Sequence, residues 1–285
     1  MFLCYLMDTI SSPTELERLE WTASQSYFAY GVRFGLRTNT EEGLSLAQPH
    51  LPLGWQETIA DEVELLYSLH LAPPNKYSDT APNHLLYADS TLIARSDDAA
   101  QVLQTFKEHA QLATILRAQD RLFVHAGVVG WNGRAILLPG RSLSGKTTLV
   151  QALIQAGATY YSDEFAVLDR RGWVHPYALP LSIRSHNTPP TKTPIEQLGG
   201  QCGIAPLPVG LIAVTQYQRR AHWNPRVLSP ARALLALMEN TVAARREPEY
   251  TLPILRETVL HAKIVEGKRG EARHIAPTLL DLASA

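Results

Sequence analysis

Two patterns of hydrophobic and polar positions recur along the chain, and each predicts one kind of element. Short apolar runs rich in β-branched and aromatic residues predict β-strands. These runs cover Tyr27–Arg37, Leu122–Val129, Arg134–Leu138, Ala158–Asp169 and Pro208–Tyr217, with a further strand at Phe2–Met7. The dipeptide Asn132–Gly133, between two of these runs, predicts a tight hairpin turn.

Other segments repeat their apolar residues at helical spacing, and polar residues or glycine mark their ends. The predicted helices are Ile59–His70, 96–119, Thr148–Ala156, 229–243, Leu252–Glu266 and Pro277–Ala283. Ser96 or Asp97 is expected to cap the second of these and Ser229 the fourth, while Gly157 is expected to end the third as its C′ residue. Residues 187–206 lack periodicity and are predicted to form a long mobile loop, either a lid or a passive connection.

The mixture of strands and helices predicts an α/β (α+β) chain with two domains. Residues 1–95 are expected to form a smaller N-terminal α/β accessory domain, and residues 96–285 a larger domain. The sequence leaves the role of the accessory domain open. It could bind the substrate, bind a partner protein or support a homo-oligomer.

Composition narrows the class of protein further. The 285 residues carry a net charge of −1, from 26 basic and 27 acidic residues, so no nucleic-acid-binding surface is expected. The apolar start of the chain is too short to span a membrane, and no membrane association is expected. The two cysteines, Cys4 and Cys202, cannot form a disulfide framework and fit a reducing, cytoplasmic location.

The segment from Gly140 to Thr147 reads GRSLSGKT and fits the G-x-x-x-x-G-K-[ST] pattern of a phosphate-binding loop. A predicted strand precedes it and a predicted helix follows, so backbone N–H groups at the helix start would face an anion. Lys146 would then reach the β- and γ-phosphates, and the Thr147 hydroxyl would bind Mg²⁺. The residues expected to contact the nucleotide are Gly140, Arg141, Ser142, Leu143, Ser144, Gly145, Lys146, Thr147 and Thr148. The competing interpretation is a plain strand–turn–helix.

Two adjacent acids follow on the next predicted strand, in the sequence YYSDE. In phosphate-loop proteins an acid at this place binds Mg²⁺ directly or through water. Asp163 and Glu164 are therefore candidate metal ligands, and one of them is also a candidate general base. A solvated turn explains the same residues without any chemistry.

From His125 to Asp169 the chain resembles the core of HPr kinase/phosphorylase and its kinase-like relatives. The likeness rests on the HAGVV strand, the tight turn, the GRSLSGKT loop, the helix ending in Gly157 and the strand carrying SDE. Residues Val174–Arg184 are also similar to relatives encoded in peptide-modification pathways. The resemblance covers roughly half of the chain. It implies a P-loop kinase domain of the type shared with phosphoenolpyruvate carboxykinase, and ATP and Mg²⁺ as cofactors.

The same resemblance implies roles for individual residues. Asp163 becomes the general base or a metal ligand, Lys146 holds phosphate, and His125 lies near the reacting phosphate. Arg184 falls where the family has an arginine, and we expect it, or else Arg141, to neutralise the transferring group. From the residues alone, His125 fits a hydrogen-bonded core histidine equally well, and Arg184 a surface arginine.

The leading hypothesis is an ATP-dependent kinase that phosphorylates a serine or threonine of a peptide or protein. A ribosomally made precursor peptide is one such substrate. A kinase acting on a small-molecule hydroxyl is an alternative. A third hypothesis, from another class, is a module that binds nucleotide without transferring phosphate.

Overall fold

The structure is a computed structural model that describes residues 13–60, 62–72, 83–140, 144–183 and 191–284. The predicted strand at Phe2–Met7 lies outside these ranges. The chain divides into two compact units after Gln119. Within the described ranges, no helix is both long enough and apolar enough to cross a membrane.

The first unit is a six-stranded sheet with one long helix against it. Its elements are α1 (Pro13–Leu16), β1 (Ala23–Ala29), β2 (Val32–Thr38), α2 (Glu41–Ala47), a 3₁₀ helix (Gln48–His50), β3 (Gln56–Thr58), β4 (Leu65–His70), β5 (His84–Ala88), β6 (Thr91–Ser96) and α3 (Ala99–Arg117). The strand order is β3-β1-β2-β4-β5-β6, with β2 and β4 parallel and the other pairs antiparallel.

The domain boundary lies later than the predicted position at residue 95. Helix α3 has its apolar stripe at the predicted positions, but its N-cap is Asp98 and not Ser96 or Asp97. The stripe is buried in the core of the first unit. Val102, Phe106 and Ala110 pack there with residues of the sheet. An amphipathic helix belongs to the sheet that covers its apolar face, and that sheet precedes it in the chain.

Two predicted elements of the first unit differ in the structure. The run Tyr27–Arg37 is a hairpin, because Tyr30 and Gly31 both take positive φ and turn the chain between β1 and β2. The predicted helix Ile59–His70 is wrong in its described part, since Leu65–His70 forms β4. Strand β4 lies inside the sheet, between β2 and β5, where both of its edges are hydrogen-bonded.

The second unit is a mixed sheet between two layers of helices. Its elements are β7 (Leu122–Trp131), β8 (Arg134–Pro139), α4 (Lys146–Gln155), β9 (Thr159–Ser162), β10 (Phe165–Leu168), β11 (Val174–His175), β12 (Leu181–Ile183), β13 (Thr191–Thr193), a 3₁₀ helix (Ile195–Leu198), β14 (Val209–Tyr217), β15 (Arg226–Val227), α5 (Pro230–Met238), α6 (Pro248–Leu260), β16 (Lys263–Arg269) and α7 (Ala272–Ser284). The main path is β11-β10-β7-β8-β14-β16-β15, and β9 also pairs with β7. Helices α4 and α7 pack in one core, and α5 and α6 in the other.

The described parts of the segment from β7 to α4 form the predicted hairpin and helix. Asn132 and Gly133 both take positive φ, as a type I′ turn requires, and join β7 to β8. Helix α4 ends at Gln155, and Gly157, two residues later, has a φ of +99°. The N–H of Gly157 donates to the Ile154 carbonyl at 2.9 Å and that of Ala158 to the Leu153 carbonyl at 3.0 Å. These two bonds make a Schellman motif, so Gly157 is the C′ residue.

The C-terminal part of the unit departs from the prediction. The Ser229 cap of α5 is confirmed, but α5 ends at Met238. The predicted helix Leu252–Glu266 ends at Leu260 and is followed by β16, because Ile264 and Val265 are buried in a parallel ladder with β14. The loop predicted over residues 187–206 is described from residue 191 onward, where it contains β13 and a 3₁₀ helix and buries Ile195 in the core that includes α4.

Gly127 on β7 is expected to control how closely α4 packs on the sheet. A Cβ at this position would lie 2.6 Å from a methyl carbon of Val150 on α4. Gly127→Ala should therefore lower the free energy of unfolding by about 1–3 kcal/mol through overpacking. Urea denaturation measures the loss, and Val150→Ala in the same chain should recover part of it, because the two residues are in contact. Additive losses in the double variant would contradict this packing argument.

Candidate functional site

Strand β7 lies between the predicted phosphate-binding loop, residues 140–147, and the acid pair Asp163 and Glu164. On one side Ala126 pairs with Pro139, the last residue of β8 before the loop. On the other side β9 and β10 follow the same edge of β7, with His125 opposite Phe165. Adjacent strands are about 4.8 Å apart, so the loop and the acid pair are held within reach of each other.

The loop leads from β8 into the N-terminus of α4. Gly145 is the N-cap residue, with a φ of +84°, and it has no side chain with which to cap the helix. The first N–H groups of any α-helix have no partner within the helix, and its dipole favours an anion there. The Lys146 ammonium donates to the Gly140 carbonyl at 2.7 Å, so it reaches back to the end of β8. Arg141, Ser142 and Leu143 lie outside the described residues.

Asp163 is held by hydroxyl groups on both of its oxygens. The Thr147 hydroxyl donates to Oδ2 at 3.1 Å. The Tyr160 hydroxyl lies 3.1 Å from Oδ1 and 2.8 Å from the Leu179 carbonyl, and shares its one proton between them. Burial raises the pKa of Asp163, although the two hydroxyls and the Lys146 charge oppose that shift. The phosphate loop and the acid pair are thus directly hydrogen-bonded.

Acidic and basic groups among the predicted site residues lie near the hydrogen bond between Thr147 and Asp163. Partial burial and the adjacent Asp163 raise the pKa of Glu164, while Lys192 and Lys146 oppose the shift. Burial lowers the pKa of Lys146, against the attraction of both carboxylates. Burial and the Lys146 charge lower the pKa of His125, so its imidazole is neutral near pH 7.

His125, Thr148 and Arg184 have different outcomes. The His125 ring lies 4.4 Å from the Phe165 ring, centre to centre, and its carbonyl accepts from the Gly140 N–H at 3.3 Å. It is therefore both a packing residue and a neighbour of the loop. Thr148 is exposed in the first turn of α4. Arg184 lies outside the described residues.

Two residues of the site were missed by the sequence analysis. The sequence predicts Tyr160 only as a strand residue, yet its hydroxyl contacts Asp163. Arg269, at the end of β16, donates from Nη2 to the Gly145 carbonyl at 2.8 Å. The YYSDE motif gave a local signal for Tyr160. Arg269 gave none, because it is 124 residues away from Gly145 and lies beyond the end of the predicted helix Leu252–Glu266.

Comparison of the chain with family models, with curated proteins and with solved structures finds no match.

The donor set fits a hard divalent cation such as Mg²⁺. The Thr147 hydroxyl and the Asp163 carboxylate are oxygen ligands, which Mg²⁺ prefers, and their contact puts both within reach of one ion. Within the described part of the chain, no group of three or more histidine, cysteine or acidic side chains is arranged to hold a metal. Mg²⁺ bound with a nucleotide takes further ligands from phosphate and water.

Asp163→Asn is expected to stabilise the chain near neutral pH. Because burial raises the pKa of Asp163, the folded state binds its proton more tightly than the unfolded chain, and the ionised carboxylate costs stability. That cost is present above the folded-state pKa and disappears as the pH falls below the ordinary carboxyl range. The variant should melt above the wild type near pH 7, by about 2–4 °C for each kcal/mol relieved.

Thermal melts from about pH 7 down to about pH 4 test this, since the difference should shrink towards the acidic end. Asp281→Asn removes an exposed carboxylate on α7 and serves as the matched control. A lower melting temperature for Asp163→Asn across the whole pH range would show that the carboxylate stabilises the fold instead.

Proposed function

We propose that the chain is an ATP-dependent kinase that transfers the γ-phosphoryl group to a serine or threonine hydroxyl of a peptide or protein. One observation carries the proposal. The Thr147 hydroxyl of a phosphate-loop motif donates to the half-buried carboxylate of Asp163, in the turn between β9 and β10. A lysine, a helix N-terminus and a second carboxylate meet at the same place. Phosphoryl transfer depends mainly on positioning and on charge neutralisation, and these groups supply both.

The two acids have different surroundings, which supports different roles for them. Both oxygens of Asp163 accept hydrogen bonds from hydroxyls, so its orientation is fixed and it suits a metal ligand beside Thr147. Glu164 has the more exposed side chain of the two, and its raised pKa makes it a better proton acceptor than an ordinary carboxylate. When bound, Mg²⁺ would neutralise phosphate charge.

In the proposed step, the acceptor hydroxyl oxygen forms a bond to the γ-phosphorus, and the bond to the β,γ-bridging oxygen breaks. ADP leaves with that bridging oxygen, and the hydroxyl proton passes to the Glu164 carboxylate. Lys146 neutralises the phosphates, and the neutral His125 imidazole lies beside it. The choice of a peptide serine rests on the resemblance to HPr kinase-like proteins.

ATP with Mg²⁺ is expected to stabilise the chain against heat through Lys146. A ligand at about a hundred times its Kd adds about 2.7 kcal/mol to the free energy of unfolding. Lys146→Ala should abolish most of this gain. Lys263→Ala, an exposed lysine at the opposite end of β16, should leave it intact. Differential scanning fluorimetry measures the melting temperatures of the wild type and of both variants. If no nucleotide stabilises the wild type, the proposal is wrong.

Glu164→Gln is expected to separate binding from transfer. With γ-labelled ATP and serine-containing peptides, the variant should lose about 10²–10⁴-fold in transfer rate, the usual contribution of a general base. Its affinity for ATP and Mg²⁺ should stay within a few-fold of the wild type. Asp163→Asn, in contrast, should lose both the affinity for ATP and Mg²⁺ and the transfer of phosphate. Glu249→Gln, an exposed acid on α6, is the control. Binding of ATP without transfer to any peptide or small-molecule hydroxyl by the wild type would favour a nucleotide-binding module.

A further inference from the structure

Arg269 is a buried cation directly behind the phosphate loop. It is the last residue of β16, and only 2 % of its surface is exposed. Its Nη2 donates to the Gly145 carbonyl at 2.8 Å and its Nη1 to the Gly270 carbonyl at 3.2 Å. The guanidinium carbon lies 5.6 Å from the centre of the Tyr217 ring. The buried Nε has no hydrogen-bond partner among the residues that the structure describes.

No carboxylate balances this charge at ion-pair distance in the part of the chain that the structure describes. Glu271 acts on Arg269 only as a neighbouring charge, and its Oε1 accepts a hydrogen bond from the Tyr217 hydroxyl at 2.9 Å. Burial therefore lowers the pKa of Arg269. A buried cation without a counter-ion is costly to a fold, so a further negative charge at this place would be stabilising.

The sheet places Arg269 at the loop by its topology. Strands β8, β14 and β16 are neighbours and run parallel, so their carboxyl ends lie at one edge of the sheet. The loop leaves the end of β8, and Tyr217 and Arg269 are paired at the ends of β14 and β16. A Cβ on Gly145 would lie 2.6 Å from Nη2 of Arg269. The second glycine of the motif thus leaves room for a guanidinium as well as supplying a positive φ.

We infer that Arg269 is a positioning residue of the phosphate site. It fixes the Gly145 peptide at the start of α4, and its uncompensated charge adds to the positive potential that the β- and γ-phosphates meet. The inference rests on the proposed nucleotide site and adds a residue to it. The contact from Arg269 to Gly145 lies entirely within the described residues.

Binding of ATP, AMP and inorganic tripolyphosphate to the wild type, Arg269→Met and Arg269→Lys tests the inference. Titration calorimetry should show that Arg269→Met binds ATP and tripolyphosphate about tenfold or more weakly, since a nearby buried charge is removed. The loss for AMP, which carries less charge, should be smaller. Arg269→Lys keeps the charge but cannot span the carbonyls of Gly145 and Gly270. Its affinity for ATP and tripolyphosphate should therefore lie between those of the wild type and Arg269→Met.

The stability of the variants without ligand gives a second readout. Arg269→Met should melt at or above the wild type, because the Gly145 carbonyl keeps its bond from the Leu149 N–H and the unbalanced charge is gone. Arg226→Met, an exposed arginine on β15 paired with Glu266, is the control for losing an arginine from this sheet.

The outcomes separate the two proposals. If the wild type binds neither ATP nor tripolyphosphate, the proposed function fails and the inference with it. If the wild type binds them and a folded Arg269 variant binds them equally well, the inference alone is overturned. A uniform loss for ATP and AMP together with a lower melting temperature would also overturn it, since that is the signature of general loosening. Should Arg269→Met not fold, Arg269→Lys decides, with unchanged affinity for ATP counting against the inference.

Discussion

The site depends on the hydrogen-bonding register of β7 with its neighbours on both sides. Strand β8 pairs along one edge of β7 and delivers the phosphate loop, while β9 and β10 pair along the other edge and deliver Asp163 and Glu164. A shift of one residue on either side would turn these side chains to the opposite face of the sheet. The contact between Thr147 and Asp163 exists because both registers agree.

The same arrangement brings charged side chains of both signs into partly buried positions, where burial disfavours their charged forms. Burial raises the pKa values of Asp163 and Glu164 and lowers those of Lys146 and Arg269. Groups with perturbed pKa values cluster at functional sites, so these shifts agree with the proposed site. A triphosphate with a divalent cation would balance both signs, with the phosphates near Lys146 and the cation near the acids.

Local sequence signals predicted the core of the site. Each element between Leu122 and Gly157 is encoded by its own residues. In chain order these are a strand, the Asn132–Gly133 turn, the returning strand, the glycine-rich loop and the helix that stops before Gly157. The acid pair was found because it interrupts an otherwise apolar strand. The structure keeps Lys146, Thr147, Asp163, Glu164 and His125 together.

The rest required contacts between distant parts of the chain. Nothing near Arg269 indicates that it meets Gly145, because the order of β8, β14 and β16 in the sheet creates that contact. The predicted helices Ile59–His70 and Leu252–Glu266 end in residues that form β4 and β16, because neighbouring strands pair with those residues. The domain boundary was placed too early because the sequence of α3 shows an apolar face but not the sheet that covers it.

Hydrogen–deuterium exchange with and without ATP and Mg²⁺ tests the central claim most directly, because it reports on the backbone amides that would hold the phosphates. The account predicts slower exchange at residues 144–149 and, in the same titration, at residues 160–164, since the loop and the acid pair bind one ligand. Protection confined to other segments, or protection of the loop with no change at the acid pair, would contradict it.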